Sequence, residues 1–257
     1  MNNPPTKFIF DLTFENGHVA KAVRIGQDTV PELAAQMLGF DKVYPVIFIS
    51  GGASNMSEED REIVKDMMAA VAKFAEEQQA VVIDGGTESG VMKMIGDIRS
   101  QYKLTFPLIG VSPIGKVSFP GYKNPNEEAV LEDSHSHFAL VVGDEWGDES
   151  ETIMKFTNAL SNRGEKPAVG VLVNGGKIAM HEIYLATKRE DKISIIVLEG
   201  SGRAADEIST AYRTGKTNQA VLQAILAGGN IELVGTSEGP DGLRRKLAQK
   251  FNVSSEK

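Results

Sequence analysis

Apolar residues in this chain fall into short unbroken runs, separated by stretches where they recur every three or four positions. Runs at 43–50, 80–84, 107–112, 137–142, 168–173, 193–198 and 230–234 are rich in Val, Ile and Leu. A strand covered by helices on both faces reads this way, because neither side meets water. Helical spacing follows most of these runs: from Ser57, then at 88–101, 150–162, 178–189, 203–212, 218–227 and 240–250. After Ser57 the positions Ile63, Val64, Met67, Met68, Val71 and Phe74 form one apolar stripe, and Ser57-Glu58-Glu59-Asp60 suits a capped acidic first turn. The alternation predicts an α/β, Rossmann-like, doubly wound fold with a mainly parallel sheet of six or seven strands.

Two segments depart from it. Residues 7–24 alternate apolar and polar around Asn16-Gly17, a signal for a β-hairpin with a two-residue loop. This predicts an appended N-terminal hairpin outside the βα pattern, followed by a short helix from Pro31 to about Phe40. Residues 113–132 hold Pro113, Pro120 and Pro125 with several glycines, and predict a long loop that is either a lid or disordered. The chain is expected to be a single domain over 1–257, with 1–40 as an extension and 41–257 as the core.

Four strands run into glycine at the edge where open parallel sheets bind ligands. The turns are Gly51-Gly52-Ala53-Ser54-Asn55, Asp84-Gly85-Gly86-Thr87, Asn174-Gly175-Gly176-Lys177 and Glu199-Gly200-Ser201-Gly202-Arg203. Glycine lets backbone N–H groups approach an anion at the next helix N-terminus, so together the turns predict a site for a phosphate-bearing ligand. In the second turn Thr87 is positioned to cap the helix, and Gly90 leaves room for a close approach. In the fourth, Arg203 opens a helix where a cation is unfavourable unless an anion sits beside it; the alternative is a pair with Asp206. Glu182 can hold ribose hydroxyls or act as a general base, or be an exposed helical residue. Asp84, Glu88 and Asp206 are further carboxylates on this edge.

His135 and His137 stand two apart, which on a strand predicts the same side. They serve as a structural pair or, with a third ligand not evident, as metal ligands. Trp146 either stacks on a base or packs a lid or core.

Composition narrows the classes. A net charge of −8 argues against a general nucleic-acid binder, though not against local anion binding. There is no Cys, which removes disulfides and thiolate chemistry. No membrane span and no signal peptide are evident, and a cytoplasmic location is expected.

Gly51-Gly52-Ala53, Asp84-Gly85-Gly86-Thr87 with Gly90-Val91-Met92, Asp133-Ser134-His135-Ser136-His137-Phe138 and Glu199-Gly200-Ser201-Gly202-Arg203-Ala204-Ala205-Asp206 resemble the SLOG domain. The resemblance is to the N-terminal domain of TRPM cation channels and its stand-alone prokaryotic LSDAT-type relatives, and covers about 43–235. It implies a nucleotide-derived ligand such as ADP-ribose or its cyclic form, no required cofactor, and contacts from Gly51, Gly52, Ala53, Ser54, Asn55, Gly85, Gly86, Thr87, Gly175, Gly176, Gly200, Ser201, Gly202 and Arg203. More distantly it implies the LOG phosphoribohydrolases, whose Pro-Gly-Gly-x-Gly-Thr-x-x-Glu segment compares with Asn174 to Glu182. There Ile178 and Ala179 replace the Gly-Thr, and the LOG arginine has no counterpart. No residue is therefore assigned as catalytic, with Glu182 the candidate should the ligand be turned over. A homodimer and a separate downstream effector are expected.

Overall fold

The computed structural model describes residues 8–26, 28–53, 56–188 and 193–253. Its strands are β1 (Ile9–Thr13), β2 (Val19–Ile25), β3 (Val46–Gly51), β4 (Val81–Asp84), β5 (Leu108–Pro113), β6 (Val117–Ser118), β7 (Ala129–Val130), β8 (His137–Val141), β9 (Ala168–Val173), β10 (Ser194–Glu199) and β11 (Ile231–Gly235). The helices are α1 (Pro31–Leu38), α2 (Glu58–Gln78), α3 (Gly90–Gln101), α4 (Ser150–Leu160), α5 (Lys177–Lys188), α6 (Arg203–Thr214), α7 (Ala220–Gly228) and α8 (Gly239–Lys250). Ser57 caps α2 as its sequence predicts, accepting the Asp60 amide on its side chain.

Among the described residues nine strands form one sheet, in the order β1-β2-β8-β5-β4-β3-β9-β10-β11. From β2 onward every pairing is parallel. The count exceeds the expected six or seven because the hairpin is not an appendage. Its second strand pairs with β8, Lys21 opposite His137 through Ile25 opposite Val141. The hairpin loop also differs from expectation. Phe14 and His18 close the ladder, and Glu15, Asn16 and Gly17 form a three-residue loop with Gly17 at φ 82°. The left-handed residue ends the turn as a bulge, which suits Asn-Gly as well as the two-residue form does.

Alternate strand residues feed opposite faces. Val46, Phe48, Val81 and Ile83 pack with α1, α4, α5, α6 and α7, while Ile47, Ile49, Val82 and Val171 pack with α2, α3 and α8. A third cluster joins the hairpin, through Leu12 and Phe14, to Phe119, Tyr122, Leu131 and Phe138. Ile114, Val117, Phe119, Tyr122 and Leu131 of this cluster come from the 113–132 segment, expected as a loop without regular structure. The segment instead carries β6 and β7, and buried Asn124 donates from Nδ2 to the carbonyls of Ile114 (3.1 Å) and Val117 (3.3 Å). A side-chain amide thus does what a ladder does elsewhere.

From β3 the chain steps outward through β4, β5 and β8. It then returns to lay β9 on the other side of β3 and continues to β10 and β11. The direction of winding reverses between β3 and β9, and a crevice opens at such a point beyond the carboxyl ends of the strands.

Candidate functional site

A cavity of about 830 Å³ occupies that crevice. Gly51, Gly52 and Ala53 reach it from β3, Gly85 and Thr87 from β4, Gly176 and Lys177 from β9, and Arg203 from β10. These strands are neighbours in the sheet, so turns far apart in sequence converge. Ser54 and Asn55 lie outside the described residues. Gly51 is fixed by geometry: its φ is 148°, and a Cβ there would come 1.9 Å from the Val173 carbonyl oxygen. Gly90 leaves room for the first turn, since a Cβ would approach the Ala53 nitrogen to 3.1 Å.

The other named glycines stand behind the wall. Gly86 packs on Gly110, a Cβ there falling 2.6 Å from the Gly110 Cα, and Gly175 packs on Ala179 in the same way. Gly200, Ser201 and Gly202 are also absent from the lining. Ser201 instead ties two turns together: its Oγ accepts the Asn174 amide (2.8 Å), and Asn174 Nδ2 donates to the Ser201 carbonyl (2.8 Å). Thr87 does not cap α3. Ser89 is the N-cap, and the two hydroxyls lie 3.0 Å apart.

Arg203 lies over Gly176, where a Cβ would come 2.6 Å from its Nη2. No carboxylate among the described residues pairs with it. Asp206, the alternative partner, accepts the Gly200 amide at 2.6 Å. Lys177, at the end of the third glycine turn, and Arg61, which the sequence does not mark, add two cations, and the Arg61 Nε is buried without a hydrogen-bond partner. Arg61 sits on the second turn of α2, away from any glycine motif, and only the fold brings it in.

Glu182 is buried in the cavity rather than exposed on its helix. The Ser50 hydroxyl donates to its Oε2, and the Ser150 hydroxyl lies 3.3 Å from Oε1. Burial first, then the charges of Glu149 and Asp84, outweigh these hydrogen bonds and push its pKa up to about 7. Glu149 also lines the cavity, accepts the Gly147 amide at 2.8 Å and is raised by burial. Among the described residues, Glu182 and Glu149 are the carboxylates whose pKa burial raises, and both line the cavity. Glu88, Glu128 and Trp146 complete the rim, with Trp146 Nε1–H donating to Glu128 Oε2 at 2.7 Å.

Asp84 does not reach the cavity. It is fully buried, with Oδ1 accepting the Gly86 amide (2.7 Å) and facing His135 Nε2 (2.9 Å). His135 and His137 do not share a side. His135 packs on Phe138 and His137 on Phe40, residues of opposite sheet faces. No group of His and carboxylates among the described residues is arranged to hold a metal ion. No described helix is long and apolar enough to cross a membrane.

Comparison with known proteins finds relatives of one kind. Mouse transient receptor potential cation channel subfamily M member 2 is 28% identical over 245 residues, covering 80% of this chain and 16% of its own length. The Drosophila melanogaster channel trpm is 26% identical over 260 residues, 86% of this chain and 13% of its own. A Nematostella vectensis member-like 2 protein is 31% identical over 204 residues, 65% of this chain and 13% of its own. The chain therefore spans about a sixth or less of these relatives. The family model described as SLOG in TRPM, prokaryote, matches residues 44–243, from just before β3 into α8, and the chain belongs to that family.

Proposed function

We propose that this chain is a cytoplasmic, single-domain sensor that binds a nucleotide derivative at the carboxyl edge of its sheet. ADP-ribose, cyclic ADP-ribose or a related NAD metabolite is the ligand class. The carrying observation is the cavity at the reversal of winding, where Arg61, Lys177 and Arg203 meet the N-termini of α3 and α5. Its volume lies within the roughly 300–1,000 Å³ typical of small-molecule sites. In this reading the glycine turns and the three cations hold the phosphates, Glu182 takes ribose hydroxyls and Trp146 faces the base. Ser54 and Asn55 belong to the same set. A second copy pairs along the free edge of β1, and a separate effector carries the output. Thermal-shift measurements with ADP-ribose, cyclic ADP-ribose, NAD and AMP test the reading. A ligand at 100 times its Kd stabilises by about 2.7 kcal/mol. No shift with any of them at millimolar concentration sinks it.

Glu182 favours a second reading, hydrolysis of an N-glycosidic bond as in LOG enzymes. A buried carboxyl near pKa 7 can donate its proton to the base as the C1–N bond breaks, and take one back from the water that adds to the ribose C1. Incubation with AMP and cytokinin monophosphates, followed by chromatography for free base, decides it. Release of base that Glu182→Gln abolishes makes the protein an enzyme; stable nucleotide leaves it a binder.

A further inference from the structure

His135 lies wholly buried between two buried carboxylates, with Nε2 2.9 Å from Asp84 Oδ1 and Nδ1 2.6 Å from Glu132 Oε2. Each ring nitrogen thus faces a carboxylate oxygen, an arrangement in which an imidazolium donates to both. Burial alone lowers its pKa, but Asp84 and Glu132 outweigh that and hold it at about 9. The other charged or titratable neighbours act at one remove. Arg99 of α3 donates to the Ser134 carbonyl at 2.9 Å, the His18 ring meets the His135 carbonyl at 2.8 Å, and Lys93 of α3 faces Glu132.

The two carboxylates belong to different pieces of the cavity wall. Asp84 shapes the β4 turn through the Gly86 amide. Glu132 ends the stretch whose Glu128, Ala129 and Val130 line the cavity. That stretch is laid on the β4 turn by its own backbone: the Glu132 amide donates to Gly86 O (3.0 Å), and the Glu88 amide to Val130 O (2.8 Å). Helix α3 makes room for the junction with Gly96, where a Cβ would come 2.2 Å from the Glu132 carboxylate.

We propose that His135 is a positioning residue, an imidazolium bolt that fastens the Glu128–Glu132 wall to the β4 turn and so sets the cavity's shape without touching the ligand. The effect on affinity rests on the binding reading above; the fastening itself does not. Trp146 is the chain's sole tryptophan and is hydrogen-bonded to Glu128, so its emission reports the wall directly. Without ligand, a pH titration of wild-type emission is expected to show a transition near pH 9. His135→Gln is expected to lose it and to bind ADP-ribose about tenfold more weakly at pH 7. Should His135→Gln not fold, Glu132→Gln replaces it, and the transition moves to lower pH because one carboxylate partner is gone. A transition that persists near pH 9 in folded His135→Gln, or that does not move in Glu132→Gln, overturns the proposal. A wild-type transition that the variants alter, with no binding of ADP-ribose, supports the bolt and fails the binding reading alone.

Discussion

Glu182 is a carboxylate in surroundings that favour its neutral form, and this has a pH signature. Its native pKa of about 7 stands above the ordinary 4.5 it regains on unfolding. Below about pH 4.5 both states hold the proton. As pH rises to 7 the unfolded chain ionises first, so stability falls, and the full penalty applies above 7. That penalty is on the order of 3 kcal/mol. Glu182→Gln is therefore expected to raise the unfolding temperature at pH 8 clearly and at pH 5 hardly at all. An equal effect at both values in calorimetry removes the argument. At Arg203 the expectation is the reverse, loss of ligand with the fold intact. Its guanidinium has no carboxylate partner among the described residues, and a charge-assisted hydrogen bond contributes roughly 1.5–3 kcal/mol. Arg203→Ala is expected to weaken nucleotide binding about tenfold or more by titration calorimetry, with an unchanged melting temperature. Arg203 and Glu182 were both readable in the sequence, because each sits in or just after a glycine turn. Arg61 and Ser50 were not, since nothing local marks a helical Arg or a strand-end Ser as site residues. Asp84 misled in the opposite way. Its place beside Gly85 points to a ligand, yet the buried imidazole claims it.

At the scale of elements the sequence was clearest where burial is two-sided. The strand run at 168–173 coincides with β9, because covered strands have no polar face to blur their ends. It was least clear where structure depends on distant partners. The hairpin's alternation announces two strands but not that β2 will pair with β8, and the residues of β6 and β7 are too few to carry a period. Gly96 shows how an element's own preference can be overruled. Inside a helix, Gly→Ala ordinarily stabilises by about 1 kcal/mol. In α3 the added methyl would come 2.2 Å from the Glu132 carboxylate. Gly96→Ala is therefore expected to destabilise by about 1–3 kcal/mol, the usual cost of overpacking, despite the better helix former. A higher unfolding temperature in the variant contradicts this.

For the whole molecule, the hairpin's place in the sheet moves the free edge. Among the described residues the sheet ends at β1 on one side and β11 on the other, and Phe8 and Ile9 stand exposed at the first. An open strand edge of this kind invites another strand. The proposed homodimer uses it, and light scattering that reports a monomer at high concentration removes that proposal. The reversal of winding between β3 and β9 has a different consequence, one of assembly. Everything before the exposed 162–166 turn supplies one bank of the crevice, and everything after it the other. A chain severed there, into 1–164 and 165–257, would leave Arg61 on one fragment and Lys177 and Arg203 on the other. Neither fragment alone is expected to bind nucleotide. A nucleotide that bridges the banks would tighten the reunion of the fragments, making the ligand a clasp across a cut backbone and the strength of that reunion a gauge of ligand concentration.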